Sequence, residues 1–250
     1  MKIFWALLRR ELAAFLFSVM GYIVIAAVTF LVGASFVMLI RNLGTDPFSM
    51  PVTEVFFNSF LFWIIVILVT PVITMRLFAL EKATGTFETL MTTQVGDMEV
   101  VTAKFTAVVI FYLVMWLPTL ACLFIMGHFT NQKSALDIGT LSGTYLGIFL
   151  SGCLFLSAGC FASSLTRSQV VAAVISLAAG VILLIVAFLA QVVPAAERWQ
   201  EQVLPYFNLF KQMDDFTRGV VDTRTIILYV SLTLFFLFLT LRAVESRRWR

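Results

Sequence analysis

Charge is scarce in this chain: Asp, Glu, Lys and Arg make up 12% of its 250 residues, against ~25% in ordinary soluble domains. That scarcity excludes a water-soluble surface for most of the chain and points to a polytopic membrane protein. The formal charge of +3 gives no large basic field, so nucleic acid is not an expected partner. Cysteine is limited to Cys122, Cys153 and Cys160, all inside apolar runs, which does not supply the exposed pairs of a disulfide scaffold. Cys153 and Cys160 lie seven apart and share a helix face, as small packing residues do. The single histidine, His128, has no Ser-containing Gly motif to pair with, so a Ser/His hydrolase is not expected. No G-x-x-x-x-G-K-[ST] loop occurs, and the chain cannot hydrolyse ATP by that route. No charge falls near the middle of an apolar run, where it would cost roughly 2.5–3.5 kcal/mol, and this counts against a proton path. No catalytic, cofactor-binding or metal-binding residue is therefore expected.

What is abundant is hydrophobic: 61% of residues, with 26 Phe, at a mean hydropathy of +1.00. A bilayer core needs about 20 apolar residues per helix, and six runs qualify, at roughly 19–40, 56–78, 103–126, 140–164, 169–192 and 225–243. The almost unbroken apolar character from Leu12 to Ile40 exceeds the ~7–15 residues of a signal-peptide core, so a cleaved leader is not expected. An even number of spans places both termini on one side. Lys2, Arg9 and Arg10 precede the first span, and Arg242, Arg247, Arg248 and Arg250 follow the last. Positive residues favour the cytoplasm, so both termini are expected there, in a multi-pass plasma (cell inner) membrane protein.

Residues 2–17 set Phe4, Leu7, Leu8, Leu12 and Phe15 on one side with Lys2 and Arg9 opposite, the pattern of an amphipathic helix lying in the interface. Glu11 breaks that pattern by projecting into the apolar side, and reads either as the partner of a nearby Arg or as a contact to another protein. Gly139, Gly143, Gly147 and Ser151 recur every four residues, making a flat ridge that another helix can approach closely. Pro71 and Pro118 are expected to kink their helices. In the loop over 193–224, Trp199, Val203, Leu204, Phe207 and Phe210 fit one helix face interrupted by Pro205, as interfacial or re-entrant helices would. Asp214, Asp215 and Asp222 show no calcium-loop spacing and read as a solvated cap.

The strongly polar block Arg76–Lys104 separates two apolar runs and contains Glu81, Lys82, Glu88, Asp97 and Glu99. A plain turn needs far fewer residues, so this connector is expected to dock a partner outside the membrane. Phe87, Leu90 and Met91 at i, i+3 and i+4 predict a short helix over about 86–93 with an apolar ridge, and Glu81 and Glu88 share another face.

At these residues the sequence resembles the membrane subunit of an ABC-2 type ABC transporter, most nearly the gliding-motility and copper-processing permeases. The features that carry the resemblance are Arg9-Arg10-Glu11-Leu12, then Pro71 to Leu77 followed by Glu81, Gly85-Thr86, Glu88 and Leu90. Lys104, Ser163-Ser164-Leu165-Thr166 with Gln169, and Phe216 to Val220 complete them. The resemblance implies an all-α permease that forms a single transmembrane domain over 1–250. It has an interfacial helix over 1–18, a cytoplasmic coupling segment over 79–99 and an extracytoplasmic loop over 193–224. It also implies two cytoplasmic ABC ATPase subunits that bind ATP and Mg, a second copy of the chain or a similar permease, and export of a substrate. The family's coupling helix maps to Gly85–Thr93, so Glu81, Gly85, Thr86, Phe87, Glu88, Leu90 and Met91 are the expected ATPase-coupling residues. Two departures are Thr93-Gln94-Val95 where such permeases carry a T-x-P pattern, and Arg167 where an acidic residue is common. An uncharged lining suits an amphipathic or lipid-like cargo. The competing reading is a non-transporting membrane scaffold that recruits a cytoplasmic partner through the same connector.

Overall fold

The computed structural model describes residues 2–43, 56–57, 59–86, 96–130, 138–192 and 206–246. Among them there is no strand. The helices are α1 (Lys2–Leu16), α2 (Val19–Leu43), α3 (Phe60–Thr74), α4 (Ala79–Thr84), α5 (Asp97–Thr130), α6 (Ile138–Leu165), α7 (Gln169–Val192), α8 (Leu209–Thr217) and α9 (Thr223–Glu245). Six segments are long and apolar enough to cross a membrane: Val19–Met38, Phe60–Thr84, Asp97–Ile125, Ile138–Leu165, Gln169–Val192 and Thr223–Glu245. The protein is a multi-pass all-α membrane protein. The third span starts at Asp97 rather than near 103, because Asp97 and Glu99 favour a helix N-terminus and extend α5 beyond its apolar run.

The arrangement follows from which helices can be approached closely. α6 is the axis: 78% of its most apolar 18-residue stretch is buried, against 17% for that of α9, and α3, α5, α7, α8 and α9 all pack on it. Its small residues make that possible. A Cβ at Gly152 would fall 2.3 Å from the Tyr112 ring of α5, and one at Gly159 would fall 2.3 Å from Thr74 Oγ1 of α3. Cys153 and Cys160 are buried free thiols on this same helix. α2, α7 and α9 form the outside, showing Phe30, Val174, Ile182, Ile227 and Leu234, which is expected of helices bathed in lipid rather than water. Hydroxyls inside the spans turn back onto their own helices: Thr70 Oγ1 donates to Val66 O at 2.6 Å and Thr74 Oγ1 to Thr70 O at 2.8 Å. Such back-bonding satisfies these two hydroxyls in hydrocarbon, whereas Thr233 Oγ1 of α9 and the Tyr112 hydroxyl of α5 are buried with no hydrogen-bond partner among the described residues.

An aromatic cluster fills one half of the bundle. Phe36 stacks on Phe56 at 4.2 Å, Phe62 meets Trp116 at 5.3 Å, and Trp63 meets Phe210 of α8 at 5.6 Å. α8 therefore belongs to the packed core at this end. Asp214 pairs with Arg218 at 2.9 Å, and Asp222 caps α9 by accepting from Arg224 N at 2.9 Å, so these two acids have structural partners.

The fit at Gly159 is testable. Gly159→Ala is expected to lower stability by about 1–3 kcal/mol, the usual cost of overpacking a close contact. Gly33→Ala, with nothing within 4 Å of its Cβ, is expected to leave the apparent Tm in detergent unchanged or slightly raised.

Candidate functional site

The polar chemistry buried in the bundle gathers at the end opposite α8, around a break between α3 and α4. α3 runs through Pro71 and stops at Thr74, with Met75 N donating to Pro71 O at 2.9 Å. Residues 75–78 turn, and α4 begins at Ala79. The first N–H groups of a new helix have no acceptor within it, and Phe78, at the cap position, has no side-chain oxygen to offer. Ser163 of α6 supplies one. Its Oγ accepts from Phe78 N at 3.1 Å and Ala79 N at 3.2 Å, and donates to Met75 O at 3.3 Å. One fully buried hydroxyl thus caps α4 from another helix and spans the break. Nearby, Lys82 Nζ donates to Ser164 O, in the last turn of α6, where carbonyls lack helical partners. α4 ends at Gly85, whose φ of +76° is a left-handed cap, a conformation glycine adopts at no steric cost. Thr84 and Thr86 hydroxyls bond each other at 2.9 Å beside it.

The next residue along α4 in the other direction reaches the opposite side. Glu81 Oε1 accepts from Lys104 Nζ of α5 at 2.8 Å and from Arg10 Nη2 of α1 at 3.2 Å. Glu11 Oε1 accepts from the same two groups, Arg10 at 2.8 Å and Lys104 at 3.1 Å. The result is a neutral ring of two acids and two bases that joins three helices. Lys104 is the buried member, its side chain 3% exposed, and its ammonium also lies 5.6 Å from the Phe78 ring centroid, a cation–π distance. The hydrogen bond to Glu11 raises the Arg10 pKa above its already high value. Lys104 cannot remain in such a place without both carboxylates, because an unpaired buried charge costs several kcal/mol. Consecutive residues of a six-residue helix therefore tie it in opposite directions. Glu81 holds α1 and α5, while Lys82 holds α6.

Of the residues expected from sequence, Arg10, Glu11 and Glu81 come together here, and Gly85 and Thr86 close α4. Arg9 is exposed and takes no part in the ring. Phe87, Glu88, Leu90 and Met91, and most of the helix expected over 86–93, lie outside the described residues. Gly139, Gly143, Gly147 and Ser151 sit at the far end. A Cβ at Gly143 would fall 2.4 Å from Phe216 O, and one at Gly147 3.0 Å from Met213 Sδ. Gly219, at φ +78°, passes against Gly139, and Ser151 Oγ donates to Gly147 O at 2.7 Å. The ridge thus receives α8 and its turn, with Gly147 roughly 24 Å along α6 from Ser163 at 1.5 Å per residue. The roles of Lys104, Lys82 and Ser163 were not anticipated. A lone lysine entering an apolar helix was the available signal, since such a residue is almost never fully buried without a partner. Among the described residues no group of three or more His, Cys, Asp or Glu could hold a metal ion.

Six apolar spans and buried charges gathered at one helix break define a polytopic helical membrane protein that is polar at one end of its bundle. The family model described as ABC-2 family transporter protein matches residues 48–244. The chain belongs to that family, as a permease: the membrane subunit of an ABC transporter rather than a catalyst in itself. Among curated proteins none matches it.

Two variants probe the site. Lys104→Met strands two carboxylates beside one exposed arginine and is expected to cost about 3–5 kcal/mol, read as a lowered apparent Tm in detergent. Adding Glu11→Gln is expected to recover part of that loss. Ser163→Ala removes a helix cap worth about 0.5–2 kcal/mol. It is expected to speed hydrogen exchange at Phe78 and Ala79 while amides in the middle of α6 keep their protection. Unchanged exchange at those two amides would show that Ser163 is not the cap.

Proposed function

We propose that this chain is the membrane subunit of an ATP-driven export complex, nearest in kind to the gliding-motility and copper-processing permeases. In this reading it sits in the plasma (cell inner) membrane with both termini cytoplasmic, paired with a second copy or a similar permease. Two separate P-loop ATPases bind ATP and Mg and supply the energy. The observation that carries the reading is the double attachment of α4. A segment that only turned the chain round would not need Glu81 tied to α1 and α5, Lys82 tied to α6, and a hydroxyl of α6 spanning its start. The expected coupling segment, Gly85–Thr93 with Phe87, Glu88, Leu90 and Met91, follows α4 directly. A push on it passes through α4 to the interfacial helix on one side and to the central helix on the other.

The mechanism is mechanical. ATP draws the two ATPases together, the 85–93 segments follow, and the α4 attachments carry the displacement into α1, α5 and α6. Movement of α6 alters the path between two bundles. The spans contribute Phe, Leu, Ser and Thr with no charge at mid-depth, which suits an amphipathic or lipid-like cargo.

The test is affinity purification in mild detergent, with mass spectrometry and an ATPase assay on the eluate. A stoichiometric P-loop ATPase that is lost when residues 85–93 are scrambled is the expected result. A chain that purifies alone would sink the reading. A partner bound with no change in ATP turnover would favour the scaffold. In reconstituted vesicles, Glu88→Lys is expected to leave ATP hydrolysis largely intact while transport falls at least tenfold.

A further inference from the structure

One half-buried cation in the bundle is used by none of the contacts above. Arg76 lies in the turn after α3, between Ile73, which packs in the apolar core, and Glu81, which enters the charged ring. Among the described residues it has no carboxylate, hydroxyl or carbonyl partner, whereas Arg10, Lys82 and Lys104 all do. Its side chain lines a shallow cleft where the α1–α2 turn meets α3 and α5, together with Phe15, Ser18, Val24, Val72 and Phe111. The space enclosed is only about 20 Å³, enough for one water-sized group, so nothing large enters. A ligand would have to lie across the mouth. On either side of Ser18 in the chain, Phe17 is 81% exposed and Val19 76%, side chains that need hydrocarbon around them. The cleft therefore opens to lipid at the depth where apolar core gives way to charge.

We propose that Arg76 holds the phosphate of an anionic phospholipid of that leaflet, with the lipid's apolar part lying along Phe15, Val24 and Val72. The chemistry follows from three features of the place. A partly desolvated guanidinium with no counter-ion among the described residues strongly favours an oxyanion that can accept its paired N–H groups. The Ser18 hydroxyl, which accepts from Met20 N at 3.3 Å, still has its own proton to donate. Basic pockets between spans at headgroup depth are suited to anionic lipid. The site joins the turn between the interfacial helix and the first span to the α3–α4 break. A bound lipid would add a second link between the end of α1 and the α3–α4 connection, beside the Arg10–Glu81 pair that joins α1 to α4.

The experiment is native mass spectrometry of the full-length chain in detergent, titrated with dioleoyl phosphatidylglycerol or dioleoyl phosphatidylcholine. One phosphatidylglycerol is expected to be retained in preference to phosphatidylcholine. Arg76→Gln is expected to weaken phosphatidylglycerol binding about fivefold and leave phosphatidylcholine unaffected. Arg76→Lys, which keeps the charge but not the paired N–H groups, should keep only part of the binding, and the exposed Arg167→Gln should keep all of it. Equal binding by wild type and Arg76→Gln would overturn the proposal. So would occupancy by inorganic phosphate without any preference for phosphatidylglycerol, which would make the site one for a soluble anion. Should Arg76→Gln fail to fold, competition between the two lipids on the wild-type chain decides, and the absence of a preference overturns the proposal.

Discussion

Lys104 lies where an ammonium should not be, with only 3% of its side chain exposed and an apolar helix continuing beyond it. Isolated, that charge would cost several kcal/mol, and only close carboxylates with good geometry offset it. Glu11 and Glu81 supply them, at 3.1 and 2.8 Å, and much else follows from this demand. Because Glu11 belongs to α1, that amphipathic helix is fixed along α5. Because Glu81 belongs to α4, the short helix after the break is drawn toward α5. Arg10 completes the neutrality and ties α1 to α4 directly. One buried cation thus sets the relative positions of three helices.

The other side of α4 is held by weaker and less conspicuous means. Ser163 has no charge, yet it satisfies two orphan N–H groups and bonds a carbonyl across the break. Lys82 closes the last turn of α6 in the same neighbourhood. The two attachments differ in kind. The ion ring is strong but is built from long, rotatable side chains, whereas the serine clamp is short and rigid. A helix held in this way can transmit displacement to both neighbours without being free to slip past either. The opposite end of α6 works by shape. Gly143 and Gly147 admit α8 at distances that any Cβ would prevent, and the aromatic cluster of Trp63, Trp116 and Phe210 fills the space around it.

Much of this was legible in the sequence, and the reason is physical. Spans are long and uniform because hydrocarbon thickness is, so composition alone found six of them. The error at α5, where the helix starts at Asp97 and not near residue 103, arose because a hydropathy window sees apolar content and is blind to a polar first turn. Glu11 was legible as an anomaly, an acid on an apolar face, and an arginine partner was one of the readings it allowed. Its lysine partner, 93 residues away in sequence, was not. The four-residue spacing of Gly139, Gly143 and Gly147 marked a surface that could be approached closely, but could not say that a nine-residue helix would be what approached it.

The sequence by itself determined that the chain carries six runs able to cross a membrane, that none of them has a charge near its middle, and that its longest polar block lies in one connector. Each of these depends on local composition or spacing, which a linear reading captures. Tertiary structure alone decided that Glu81 and Lys82, adjacent in the chain, would serve different helices. It also decided that a serine of α6 would cap α4, and that Arg76 would be left half-buried with no polar partner among the described residues. Those outcomes depend on which surfaces meet when six helices pack round α6. Low dielectric makes every such meeting of polar groups consequential, and no periodicity in the sequence records it.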